Sequence, residues 1–300
     1  MREDVRAALA AAGLDATELQ GLVEGALAED LRYGPDVTSN ATIAFDQPAD
    51  ADVVAREPGV LCGVTVAIAV LESAGFPSAG VTVIRHDGDF VEAGESVLHL
   101  SGDLRPMLLA ERTMLNFMTH LSGVATATRA WVRVLEGTTC QVRDTRKTIP
   151  GLRQLEKFAV RCGDGVNHRM GLGDAALIKD NHIAAAGGIT RAVSAIRQSH
   201  PDLVLEVECD TLDQVIEAVD ADCTQILLDN MDLEQIRSAV VIARRRPGVS
   251  VEASGGMTIE NARAVADAGV DYIAVGALTH SAVALDLGLD IITRAEPLVR

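Results

Sequence analysis

Residues 141–182 carry Arg143, Arg146, Lys147, Arg153, Lys157, Arg161, Arg169 and Lys179 against five Asp and Glu, a local surplus of cations in a chain of net charge -17. Arginine presents a planar fork that grips a carboxylate or phosphate through two parallel hydrogen bonds, whereas lysine presents a point charge. Both kinds gathered inside an acidic protein suit the capture of a small polyanion at one place. The overall charge argues against nucleic acid or an anionic membrane surface as partner, because either needs a broad positive field. Arg153, Lys157 and Arg161 recur every four residues and also fit a solvated helix face.

Other polar residues fall where short apolar runs end. Glu208 lies late in LVLEVEC (203–209), Asp229 and Asn230 close TQILLDN (224–230), Ser254-Gly255-Gly256 closes VSVEAS (249–254), and Gly276 closes VDYIAVG (270–276). Two carboxylates beside a phosphate suit Mg²⁺, which binds few carboxylates plus phosphate oxygens and water; single carboxylates at strand ends are also ordinary helix caps. A Gly-Gly after a strand is commonly a plain turn, yet before a helix its free N–H groups suit phosphate. His168 and His182 fit structural roles as well as ligand contacts. Glu206 is taken as structural, on the face of its strand opposite Glu208.

The elements that must position these residues change character near residue 125. Before it, the spacing predicts helices near 18–28, 64–74, 104–121 and 126–135, a loop over 29–40, and strands near 52–56, 81–85 and 96–100. After residue 137 the pattern becomes strand then helix, with strands at 138–144, 175–180, 203–209, 224–230, 249–254 and 270–276 and helices near 190–198, 211–219, 232–245 and 259–268. Such alternation predicts a parallel α/β sheet or barrel, and six units are too few to close an eight-unit barrel. The fold class is therefore α/β: an incomplete, open β/α barrel over 125–281 with an N-terminal α/β domain over 1–124. In barrels the C-terminal strand ends make the active site, which brings the cations, carboxylates and glycines to one rim.

Three hundred residues at 48 % hydrophobic and 23 % charged can bury a sizeable core. Cys62, Cys140, Cys162, Cys209 and Cys223 are scattered without a C-x-x-C pair. That predicts reduced thiols in a cytoplasmic protein, not a disulfide framework or zinc site. The opening MREDVRAALAAAGLDATELQ carries charges throughout, and no run approaches about 18 apolar residues, so neither a signal peptide nor a membrane span is expected.

The runs ERTMLNFMTHLSGVAT (111–126), DTRKTIPGLRQLEKFAVRCGDGVNHR (144–169), LIKDNH (177–182), EVE (206–208), LLDNM (227–231), EASGG (252–256) and VDYIAVGALTHS (270–281) resemble the quinolinate phosphoribosyltransferase family, nearly end to end and in order. The resemblance implies the type II phosphoribosyltransferase fold, in which an N-terminal α/β sandwich accompanies an incomplete barrel and the C-terminal segment, about 282–300, packs back on the sandwich. It implies conversion of quinolinate and phosphoribosyl pyrophosphate to nicotinate mononucleotide, pyrophosphate and CO₂, with Mg²⁺, in de novo NAD synthesis. It further implies a homodimer in which Arg112 serves the neighbouring subunit's site. On this resemblance Arg112, Arg146, His168 and Arg169 surround the dicarboxylate, with Lys179 reaching it too. Lys147 and Lys179 meet phosphates, Glu208 and Asp229 hold ribose hydroxyls and Mg²⁺, and Ser254, Gly255, Gly256 and Gly276 take the 5'-phosphate. Lys147, Lys179, Glu208 and Asp229 are then the residues that carry catalysis.

Two departures stand beside the matched residues: Cys162-Gly163-Asp164-Gly165 where the family commonly has a glycine run, and Gly173 where a larger residue is common. Rival readings are a nicotinate phosphoribosyltransferase, which does not decarboxylate, the paralogue associated with molybdate transport, and a non-catalytic anion-binding module. A phosphosugar isomerase would instead want a poised carboxylate base.

Overall fold

The structure, a computed structural model, describes residues 1–292; the last part of the predicted C-terminal segment, 293–300, lies outside the described residues. In chain order the elements are α1 (Glu3–Ala11), α2 (Ala16–Asp30), α3 (Val37–Thr42), β1 (Pro48–Ala55), β2 (Gly59–Val60), α4 (Val64–Ser73), β3 (Val81–Val83), β4 (Phe90–Val91), β5 (Ser96–Asp103) and α5 (Leu104–Val134). There follow β6 (Gln141–Arg143), α6 (Arg153–Cys162), β7 (Ala176–Ile178), α7 (Asp180–Ala186), α8 (Ile189–Ser199), β8 (Leu205–Cys209), α9 (Leu212–Asp220) and β9 (Gln225–Asp229). The series ends with α10 (Leu233–Ala243), β10 (Ser250–Ser254), α11 (Ile259–Asp267), β11 (Tyr272–Ala274), α12 (Ala277–His280) and β12 (Leu287–Ile292). These divide into two compact units, one comprising Met1–Ala127, Pro150–Asp164 and the segment from Ser281, the other Thr128–Ile149 and Gly165–His280.

In the first unit a four-stranded sheet runs β12-β1-β5-β3, with β1 antiparallel to both neighbours. Alternation along β1 buries Ala51, Val53 and Ala55 on one face. β12 is the C-terminal chain returning to cover the edge of β1. The stretch expected as a loop over 29–40 holds α3, which starts where the Asp36 side chain accepts the Ser39 N–H at 2.9 Å. Two predicted helices around residue 123 are one, α5. Gly123 stands inside this helix because a Cβ there would lie 2.2 Å from the Val283 carbonyl oxygen, so only glycine lets chain 283–285 cross at that point. The Leu285 N–H then donates to the Thr119 carbonyl at 3.0 Å.

α6 departs from both expectations made for it. It groups with the first unit although 125–281 was assigned to the barrel domain, and it is not a solvated face, since Lys157 is fully buried. Leu155, Phe158 and Ala159 are buried too. Its polar contacts reach within the same unit: Glu156 Oε1 lies 2.9 Å from His120 Nε2, and Arg161 donates to the Ala12 carbonyl at 2.5 Å.

The second unit is a six-stranded parallel sheet ordered β6-β11-β10-β9-β8-β7. β6 and β7 stand at opposite edges, so the barrel is open. Its helices bury one face at three- and four-residue spacing, as with Val215, Ala218 and Val219 in α9 and Ile236, Ala239 and Val240 in α10. Capping boxes begin three of them, with Thr211, Asp232 and Thr258 accepting N–H bonds from Gln214, Gln235 and Asn261. These boxes fix where each strand hands over to its helix, and with it the height of the strand-end residues. Among the described residues no helix is long and apolar enough to cross a membrane.

Candidate active site

Parallel strands with a two-residue repeat present alternate side chains to the barrel interior. The register aligns Leu177 with Glu206, Glu208 with Leu227, Leu227 with Glu252, and Glu252 with Tyr272. Side chains of that parity line a cavity of about 350 Å³: Leu177 and Lys179, Glu208, Leu227 and Asp229, Glu252 and Ser254, and Ala274. Thr145, Arg146, Lys147, His168 and Arg169 complete the wall from the segments after β6 and before β7.

Four cations and His168 thus face three carboxylates. Lys179 Nζ is paired with Glu208, so this carboxylate is neutralised before any ligand arrives. Arg146 and Arg169 have less compensation. The buried Arg146 Nε has no hydrogen-bond partner among the described residues. Burial, and then Arg146 beside it, push the Arg169 guanidinium below its usual pKa. Two guanidiniums held near each other in a partly dry cavity are stabilised by an anion between them. Arg169 is itself anchored, donating from Nη1 to the Ala175 carbonyl at 3.0 Å and from its main chain to His168 Nδ1 at 2.7 Å. The buried Asp144 holds the preceding turn, accepting from the Asn167 amide at 2.5 Å and the His168 N–H at 2.8 Å.

The glycine turns position their neighbours. A Cβ on Gly276 would sit 2.8 Å from Lys147 Cδ, so the strand-end glycine gives that lysine its course. Gly255 has φ +81° and its Cβ would fall 2.2 Å from Asn230 Oδ1, which makes glycine necessary on both counts. The Asn230 N–H donates to the Ser254 carbonyl at 2.9 Å, joining the ends of β9 and β10.

Of the residues expected in the site, Arg146, Lys147, His168, Arg169, Lys179, Glu208, Asp229 and Ser254 share the one cavity. Gly255 and Gly256 line a separate pocket of about 270 Å³ with Asn230, Asp232 and Asn261. Gly276 touches Lys147, and Arg112 is an exposed residue of α5 in the first unit. His182 caps α7, its Nδ1 accepting the Lys179 N–H at 3.0 Å. Asp164 and Gly173 are exposed and replace no residue of the wall. Thr145 and Glu252 were missed. Glu206 was placed wrongly: residues two apart share a strand face, so Glu206 points inward like Glu208, with Oε2 2.8 Å from His168 Nε2. The same parity places Glu252 with Ser254, and would have found it.

An open β/α barrel whose C-terminal strand ends gather arginines, lysines, two carboxylates and a glycine turn before a helix defines a type II phosphoribosyltransferase. Residues 124–290 match the sequence profile of the quinolinate phosphoribosyl transferase C-terminal domain, and residues 36–122 match that of its N-terminal domain. The chain belongs to the quinolinate phosphoribosyltransferase family. It is 49 % identical over 272 residues, 90 % of this chain and 95 % of the relative, to the carboxylating nicotinate-nucleotide pyrophosphorylase of Mycobacterium leprae. A probable enzyme of the same name from Bacillus subtilis is 40 % identical, covering 91 % of this chain and 93 % of that one. The solved nicotinate-nucleotide pyrophosphorylase of Francisella tularensis superposes with a TM-score of 0.86 at 40 % identity, over 92 % of this chain and 96 % of that one.

Proposed function

We infer that this protein transfers the phosphoribosyl group of phosphoribosyl pyrophosphate to quinolinate with loss of CO₂, giving nicotinate mononucleotide and pyrophosphate for NAD synthesis. The observation that carries the reading is the pair Arg146 and Arg169 in one cavity with Lys147, Lys179, Glu208 and Asp229. Quinolinate brings two adjacent carboxylates, and two guanidiniums are matched to them by fork-to-carboxylate hydrogen bonds. Lys147 and Lys179 supply point charges for phosphates, and Ser254 with the Gly255, Gly256 and Gly276 turns supplies N–H groups for the 5'-phosphate. The exposed Arg112 is assigned to the neighbouring subunit's site in a homodimer. Five buried cysteines, none in a disulfide among the described residues, support action in the reducing cytoplasm.

Glu208 and Asp229, two carboxylates at successive strand ends on one wall, fit Mg²⁺, which accepts one or two carboxylates and fills its shell with phosphate oxygens and water. Glu208 and Asp229 would hold the ion where it would supply positive charge to the departing pyrophosphate. Lys179 must then release Glu208 and turn to phosphate. As the bond from ribose C1 to pyrophosphate lengthens, positive charge grows on the sugar, and the fixed negative charge of Glu208 and Asp229 stabilises it. The pyridine nitrogen supplies the new bond from its own lone pair, so no general base is needed. Its resulting positive charge accepts the electron pair left at C2 when that carboxylate departs as CO₂, and a proton takes the vacated position.

The test offers quinolinate or nicotinate with phosphoribosyl pyrophosphate and Mg²⁺, and resolves the nucleotide by chromatography. Quinolinate should yield nicotinate mononucleotide and nicotinate none. Turnover of nicotinate alone would overturn the reading.

A further inference from the structure

The floor of the cavity holds a buried acid for which the phosphoribosyl chemistry has no use. Glu252 lies on the cavity wall yet is only 1 % exposed. One of its oxygens, Oε2, accepts from Arg143 Nη1 at 2.6 Å, and the Arg143 guanidinium stacks 4.0 Å above the Tyr272 ring. The other, Oε1, has no hydrogen-bond partner among the described residues and lies 3.7 Å from His168 Nε2.

The surrounding hydrogen bonds decide where a proton can go. The Arg169 N–H donates to His168 Nδ1, so that nitrogen is an acceptor and the ring proton sits on Nε2, facing Glu206. The groups that face Glu252 are Arg143 from β6, His168, Glu206 from β8, Leu227 from β9 and Tyr272 from β11. Two buried carboxylates therefore stand side by side, Glu252 paired with Arg143 and Glu206 with His168. Burial, then the neighbouring Glu206, raise the Glu252 carboxyl to about 7, against the pull of His168 and Arg143. A quinolinate carboxylate entering this floor has only acceptor oxygens and would meet an oxygen that lacks a donor.

We propose that Glu252 takes up a proton when quinolinate binds and offers it from Oε1 as a hydrogen-bond donor to the buried end of the dicarboxylate. The Oε1–H bond forms with a proton from solvent, and no other bond changes. This rests on quinolinate being the acceptor, and it makes binding weaken as pH rises above neutrality.

The test is titration calorimetry of the whole protein with quinolinate alone, in HEPES and in Tris, whose ionisation enthalpies differ. A chelator is included because His168, Glu206 and Glu252 place ligand atoms within 4.8 Å of one another and could share a cation. Uptake should approach one proton per site at pH 8 and fall toward none at pH 6. The Kd should rise about tenfold per pH unit above 7, as linkage to one proton requires. Glu252→Gln, whose amide donates at any pH, should bind with neither proton uptake nor that pH slope. His168→Asn removes a pull that lowers the Glu252 pKa, so it should keep the uptake with its onset moved to higher pH.

Wild-type binding without proton uptake at pH 8 overturns the role of Glu252 and leaves the functional reading standing. So does uptake retained by Glu252→Gln, or uptake absent at every pH in His168→Asn, which would put the proton on the imidazole. Should Glu252→Gln fail to fold, the wild-type pH curve and His168→Asn decide. Absence of saturable quinolinate binding overturns the functional reading and this proposal together.

Discussion

Arg146 and Arg169 oppose each other electrostatically in the cavity, and in the proposed reaction their geometry is the specificity device. The Arg169 guanidinium, anchored to the Ala175 carbonyl at 3.0 Å, is held in place on the cavity wall. Arg169→Lys keeps the charge and loses the fork, so it should raise KM for quinolinate by about tenfold or more, as loss of a charged hydrogen bond predicts, with KM for phosphoribosyl pyrophosphate little changed. Steady-state kinetics with each substrate varied separately checks this. In the same proposal Asp229 works on the other substrate. Asp229→Ala should lower kcat on the order of a hundredfold, the loss expected for a preorganised charge, while calorimetric quinolinate affinity stays put. An unchanged kcat would remove Asp229 from both metal binding and stabilisation of the sugar.

At the scale of elements, glycines set the path of the chain where the hydrophobic pattern is silent. Gly123→Ala should destabilise the protein by about 1–3 kcal/mol, the usual cost of forcing atoms into a packed contact, because its Cβ lands 2.2 Å from the Val283 oxygen. Thermal unfolding measures it. The long helix looked like two because Ser122 and Gly123 read as a break locally, yet Gly123 fits the crossing of a segment 160 residues later and Ser122 bonds to the Cys62 main chain.

Each barrel strand and the later helices were legible because apolar alternation and capping residues are local signals. α6 was not, since Lys157 at four-residue spacing from Arg153 and Arg161 looks solvent-facing until the surrounding packing buries it. In the site, the strand-end residues could be read from position alone. Glu206 and Glu252 required strict attention to parity, because inward-facing charge one layer below the rim has no signature beyond its place in the two-residue repeat.

At the scale of the molecule, the cysteine reading becomes a measurement. All five thiols are buried, and burial is the leading cause that pushes Cys140 up to about 12 and Cys223 up to about 11. A thiol reagent at neutral pH should therefore label none of them in the native protein and all five after denaturation. Rapid native labelling would mean that the units open in solution. Charge follows the same logic: a chain of net -17 places Arg146, Lys147, Arg169 and Lys179 on the wall of one cavity, as anionic substrates require. The proposed reaction couples phosphoribosyl transfer to decarboxylation. The measurement that tests this most directly follows CO₂ release and nicotinate mononucleotide together from quinolinate, phosphoribosyl pyrophosphate and Mg²⁺. Equal yields, both abolished by a chelator, are predicted. Nucleotide without CO₂, or neither product, would contradict it.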